Sequence, residues 1–239
     1  MRKHHLWAIT AITGVVLVGL VAAAASARVS SPAKQAASIK ACVLLPDTVT
    51  STRYTLFDAP YLKAAFKKAG VPALILNAHK DPQKQKSQAQ QCLAQGAKVA
   101  LFDQLDPASG ASITNLLVAG GAKVIDYDRL VVGSKASYYV SFDNPTVGKL
   151  MAKGVIAALK AKKQYSKHPV VSELNGDIKD NNAKQFKQGY DSVLNPLFKN
   201  GTFKKAASGD QWTDWDAIKG RRIFDQILAR NGNKVNASI

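Results

Sequence analysis

Residues that hold metals are scarce in this chain. Cysteine occurs twice, as Cys42 and Cys92, and histidine four times, with His4 and His5 at the extreme N-terminus. The other two, His79 and His168, have no cysteine or carboxylate at ligand spacing, so a metal site is not expected. Also missing are the G-x-S-x-G nucleophile elbow, the Walker phosphate loop and the G-x-G-x-x-G fingerprint. No motif for serine hydrolysis, nucleotide hydrolysis or dinucleotide binding is left, and no cofactor is expected. Acidic residues are few, 16 against 33 basic ones, and long apolar runs are confined to one place, Leu6 to Ala25.

That single run has the layout of an export signal. Arg2, Lys3, His4 and His5 make a basic start, the apolar stretch follows, and Ala25-Ser26-Ala27 is the small-x-small pattern of a cleavage site. Residues 1–27 are therefore read as a signal peptide and residues 28–38 as a linker. The chain is expected to be secreted across the cytoplasmic membrane, to the periplasm or cell envelope. A retained anchor is the alternative, because the run is long enough to span a bilayer. A lipid anchor would need a cysteine at the cleavage site, and Cys42 lies well downstream.

The 33 basic residues less Arg2 and Lys3, set against 16 acidic ones, leave a surplus of 15. Such an excess raises the possibility of a nucleic-acid partner. The lysines, however, are spread over AFKKAG, DPQKQK, ALKAKKQYSKH and FKNGTFKK, with no aromatic-interleaved stripe. A solvated basic surface is the simpler reading, and no nucleic-acid partner is expected.

From Ile39 onward, apolar strand-like runs alternate with amphipathic stretches: IKACVLLPD, then APYLKAAFKKAG; PALILNAH, then DPQKQKSQAQQCLAQG; KVALFDQLD, then PASGASITNLLVAGG; KVIDYDRL; SYYVSFDN. Asp81 and Pro82 open the second helix, and Gly70 and Gly96 close the first two. The alternation predicts an α/β fold with a parallel sheet flanked by helices, in strand order 2-1-3-4-5. In that order the helix carrying Cys92 crosses the strand carrying Cys42, which makes a disulfide reasonable; two separate buried thiols are the alternative. A second unit starts at Pro145, so residues 39–144 are read as an N-terminal lobe and 145–239 as a partial C-terminal lobe.

Ligands of open parallel sheets lie beyond the carboxyl ends of the strands. Those positions here hold Asp47 to Tyr54, Asn77, Asp103 to Asp106, Asp126 to Arg129, Asp143-Asn144, Asn175 to Asn182 and Asp210 to Trp215. Carboxylates, arginines, amides and aromatics together suit a neutral polyhydroxylated ligand: they accept from hydroxyls, donate to ring oxygens and stack on a pyranose face. Carboxylate pairs such as Asp126/Asp128 and Asp214/Asp216 leave a glycosidase as an alternative. Strand alternation would place Asp126 and Asp128 on one face, with Arg129 beside them keeping both ionised, which favours binding over catalysis.

The segments LLPDTVTSTRYTLFDAPYLKAAFKKAG, VIDYDRL, SYYVSFDNPTVGKL, LNGDIKDNNAKQFKQGYDSVLNPL and GDQWTDWD resemble the sugar-binding periplasmic proteins of ABC transporters, type I, and within them the xylose-binding branch. The resemblance implies a two-lobed type I periplasmic-binding-protein fold closing by hinge motion on one monosaccharide, without catalysis, and handing it to a membrane permease as a monomer. It implies Arg53, Tyr54, Asp128, Arg129, Asp180, Asn182 and Trp215 as ligand residues, with the sugar between Tyr54 and Trp215. It also implies that about a third of the family's length, with further ligand residues and the return to the first lobe, would follow KVNASI. The second lobe is thus expected to be incomplete and C-terminally truncated. A sugar-sensing module feeding a membrane receptor is the second reading.

Overall fold

Strand β1 (Ala41–Leu45) is buried along its whole length and organises the first half of the protein. Its neighbours are β2 (Ala73–Asn77) on one side and β3 (Val99–Phe102) on the other, followed by β4 (Lys123–Tyr127) and β5 (Tyr138–Val140). All pairings are parallel and the order is β2-β1-β3-β4-β5, as the alternation predicted. The computed structural model describes residues 38–48 and 51–239. The signal-peptide reading of residues 1–27, and all but the last residue of the linker, lie outside the described residues.

Alternation along β1 builds two cores. Cys42 and Leu44 face helices α2 (Pro82–Ala94) and α3 (Pro107–Ala119), packing with Phe102, Ile113, Leu117 and Val124. Val43 and Leu45 face α1 (Ala59–Lys68), with Tyr54, Leu62 and Phe66. Each fully buried aliphatic side chain of this kind contributes about 1.5–3 kcal/mol. Cys42 on β1 and Cys92 on α2 are joined by a disulfide, their Cα atoms 6.0 Å apart. The bridge fastens a covering helix to the central strand.

Aspartates start the helices. Asp81 accepts from the backbone of Gln83 and Lys84, and Asp106 from Ala108 and Ser109, each followed by proline at the first helical position. Asp143, Asp180 and Asp216 do the same for α4 (Asn144–Ala161), α5 (Asn181–Lys199) and α6 (Ala217–Arg230).

The second sheet is smaller: β6 (Val170–Asn175) lies between β7 (Lys204–Trp212) and the short β8 (Ala237–Ser238), all parallel. Its core joins Ala152 and Leu159 of α4, Val171, Tyr190 and Leu194 of α5, and Phe203. Gly148 and Gly189 bring α4 and α5 together backbone to backbone. A Cβ on Gly148 would collide with the Phe186 carbonyl, and one on Gly189 with that of Pro145. The chain passes from the first sheet to the second through residues 141–143, between β5 and α4.

Candidate functional site

The carboxyl ends of both sheets meet at one cavity of about 450 Å³. All seven residues singled out in the sequence lie on its wall: Arg53, Tyr54, Asp128, Arg129, Asp180, Asn182 and Trp215. Ser51, Phe142, Asn144, Val147 and Phe186 complete the lining. Ser51 and Asn144 were already among the strand-end positions, and two others had a readable signal, since Phe186 is one helical turn beyond Asn182 on α5, and Val147 is three residues beyond Asn144 on α4.

Arg53 does not sit in an open loop. It precedes a π-helical turn, Tyr54–Asp58, that runs directly into α1. The turn aims its guanidinium at two carboxylates: Nε donates to Asp58 Oδ2 at 3.0 Å and Nη1 to Asp128 Oδ1 at 3.3 Å. Burial alone would lower the arginine's pKa, but Asp128, Tyr54 and Asp58 outweigh it and the value is raised. The same guanidinium lies 4.9 Å from the centroid of the Tyr54 ring. Tyr54 itself is only 2% exposed and belongs to the first-lobe core. Larger aromatic surface comes from Phe142, which is exposed, and from Phe186 and Trp215, whose rings meet edge to face at 6.5 Å.

Strand β4 ends at Tyr127, and Asp128 has left-handed φ of 65°. This corrects the expectation that Asp126 and Asp128 share a face. The reversal separates them: Asp126 is buried and accepts from the Val131 N–H at 2.9 Å, whereas Asp128 turns into the cavity toward Arg53. Their expected ionisation needs correcting too. Burial pushes the Asp126 carboxyl up to about 6, with only the Val131 N–H opposing, and Arg129 is not among its partners. Burial also raises Asp128, against the pull of Arg53 and Arg129.

Arg129 is the most enclosed cation in the cavity wall. Its Nη1 donates to the Gln104 carbonyl at 3.3 Å, and its Nε lies 3.5 Å from Asp180 Oδ2 and 3.8 Å from Asp103 Oδ1. Burial works against its charge, yet Asp103, Tyr54, Asp180 and Asp128 together raise its pKa. Asp180 comes from the other lobe. Besides capping α5 through the Asn182 N–H at 2.9 Å, it accepts from Trp215 Nε1 at 3.0 Å. Trp215 has positive φ and lies flat over Gly176, where any Cβ would strike the indole.

Asn182 ties the lobes together. Its amide nitrogen donates to the Asp128 carbonyl at 2.9 Å, and its oxygen accepts from Asn144 Nδ2 at 3.0 Å and the Tyr139 hydroxyl at 3.2 Å. With Arg129 and Asp180 this gives polar contacts between β4 and α5 across the cavity. Among the described residues no group of three or more histidine, cysteine or acidic side chains is arranged to hold a metal ion. The lining offers hydrogen-bond donors and acceptors together with aromatic surface for stacking.

The sequence model of the periplasmic binding protein domain matches residues 42–239. Over 174 residues, 71% of this chain and 49% of the relative, the sequence is 34% identical to the D-xylose-binding periplasmic protein of Haemophilus influenzae. It is 29% identical over 221 residues to the multiple sugar-binding periplasmic receptor ChvE of Rhizobium radiobacter, covering 89% of this chain and 62% of that protein. Among solved structures, an ABC transporter solute binding protein from Clostridium phytofermentans with bound β-D-glucose superposes with a TM-score of 0.74 at 26% identity, covering 83% of this chain and 63% of that one. The chain spans about half the length of the curated D-xylose-binding relatives it matches. With the parallel sheets, the cavity at their carboxyl ends and a family match running from β1 to the last residue, this chain belongs to the periplasmic binding proteins, in the company of sugar-binding members of ABC transporters.

Proposed function

We propose that this protein captures a monosaccharide, an aldose of the xylose type, outside the cytoplasm and presents it to an ABC permease, binding by closure of two lobes and carrying out no reaction. One observation carries the reading: seven charged, amide and aromatic side chains from four separate segments converge on one cavity. Asp128 and Asp180 accept hydrogen bonds from sugar hydroxyls, Arg129 and Arg53 donate to them, and Asn182 does both. Trp215, with Phe186 and Phe142, supplies the apolar surface on which a pyranose face stacks. The single passage at residues 141–143 serves as the hinge between an N-terminal lobe to residue 144 and a C-terminal lobe from 145. The protein acts as a monomer, and residues 1–27 direct its export.

The buried position of Asp126 weighs against a glycosidase, as does the engagement of the two carboxylates described in the lining, Asp128 with Arg53 and Asp180 with Trp215. The likeness to a periplasmic receptor favours a second reading, in which the sugar-bound form is offered to a membrane receptor instead of a permease. Calorimetric titration with a panel of mono- and disaccharides tests binding, and a panel with no ligand refutes it. D-xylose binding should weaken by about 10- to 100-fold in Arg129→Met, matching the 1.5–3 kcal/mol of a hydrogen bond to a charged group. Turnover of a chromogenic glycoside, abolished by Asp128→Asn, would replace binding with catalysis.

A further inference from the structure

Next to Arg129 lies a carboxylate that does not itself line the cavity. Asp103 follows β3 and is completely buried. Its backbone is fully engaged, the N–H with the Leu44 carbonyl at 3.0 Å and the carbonyl with Gln85 Nε2 at 2.8 Å. Both carboxylate oxygens are buried without a hydrogen bond. A carboxylate so enclosed is costly to keep, and such groups persist where they serve the function.

Its one close cation is Arg129, 3.8 Å away at Nε, and that Nε also has no hydrogen bond. The unused donor stands between two carboxylates, Asp103 of the first lobe and Asp180 of the second. Asp180 has other work, accepting from the Asn182 N–H and from Trp215. A ligand hydroxyl entering the cavity competes for the Asp180 oxygens, because those face the lining whereas Asp103 does not. Arg129 then needs an acceptor on its own lobe, or its guanidinium is left partly unpaired in a dry site.

We propose that Asp103 is a positioning residue for ligand binding, the first-lobe acceptor that takes the Arg129 Nε–H when a neutral ligand engages Asp180. Asp103 touches no ligand and acts entirely through Arg129. Burial of the carboxyl, with Asp128 and Asp180 reinforcing it and Arg129 and Arg53 opposing, raises its pKa well above the usual carboxylate range, which fits a group whose charge is supported only when a guanidinium closes on it.

The affinity arm of the test rests on the sugar-binding reading, and a second arm does not. In a calorimetric double-mutant cycle with D-xylose on the full chain, Asp103→Asn alone should weaken binding by about tenfold or more. In an Arg129→Met background it should add nothing, since the residue acts through the arginine. Unchanged affinity, or losses that simply add, overturns the proposal. If the unsubstituted protein binds no sugar, the function above fails and the nitrogen-15 NMR arm decides. Enclosed between the two carboxylates although not yet hydrogen-bonded to either, the Arg129 Nε–Hε should exchange slowly in the ligand-free protein, and D103N, by removing the charge beside it, should shift the signal and speed its exchange. A signal exchanging as fast as a free arginine side chain, in the unsubstituted protein alone, overturns the proposal even if the variant does not fold.

Discussion

The two sheets reach stability by different means. In the first, a five-stranded sheet is built around a β1 buried along its whole length, and a disulfide fixes the helix above it. In the second, charge stands where the first has hydrocarbon. Glu173 on β6 is fully buried, with Lys187 Nζ at 2.7 Å and Lys205 Nζ at 3.1 Å. Both lysines also reach Asp210, at 3.0 and 3.2 Å, and Asn175 donates to the other Asp210 oxygen at 2.7 Å. Apolar cores tolerate loss of a contact gradually, whereas an ionic cluster fails when its charges no longer balance. The second half should therefore respond most to loss of charge balance, and the first to redox state and volume.

The largest effect expected follows from removing both cations around Glu173. Lys187→Met with Lys205→Met leaves a buried carboxylate alone and should cost about 3–5 kcal/mol, while adding Glu173→Met should recover much of it. Urea unfolding followed at Trp215, which reports on the second half, reads both steps. A double variant as stable as the native protein would mean that the cluster is dispensable.

Opening the Cys42–Cys92 bridge, which spans 50 residues of sequence, should cost about 2–4 kcal/mol by freeing the unfolded chain. Hydrogen exchange should then rise in β1 and α2 and stay unchanged in β6 and α5. Equal loosening of both halves would erase the contrast.

A smaller effect separates the halves by pH. The Asp126 carboxyl rises from 3.8 to about 6 on folding, so its contribution to stability is full below 3.8 and lost as the pH rises through about 6. Asp210 moves the other way. Although burial opposes it, bonds from Asn175 and Lys187 and the charges of Lys187 and Lys205 hold it at about 2, so its contribution is full above 3.8 and lost as the pH falls through about 2. Asp126→Asn should therefore gain on the native protein between pH 4 and 6, and Asp210→Asn should flatten the acid limb. Denaturant midpoints measured from pH 2 to 7 check both, and parallel curves for native and variant would refute the assignment.

Much of the architecture could be read before any coordinates. Asp81-Pro82 marks a helix start because side chain and ring meet the needs of the first turn locally, and the strand order follows from connection rules. The edge where polar residues collect was legible for the same reason, since carboxyl strand ends in a parallel sheet all point one way, while the choice of seven residues along it came from the family resemblance. Environment was less readable. The reversal at Asp128 turns on one left-handed residue, which leaves no periodic trace, and the π-helical turn before α1 is too short to show one. Asp103 was visible as a residue at a strand end. Its lack of side-chain hydrogen bonds was not, because that depends on what other segments place around it.

The glycine contact between α4 and α5 has a mechanical meaning. With Gly148 and Gly189 seated against opposing backbone, the two helices cannot roll or slide on each other without a steric clash. Both begin at the cavity, at Asn144 and Asn182, and both run back to a shared apolar anchorage at Leu159 and Leu194. They form one stiff lever whose short arm reaches the cavity. A tilt imposed there should be carried by both helices together into the second-lobe core.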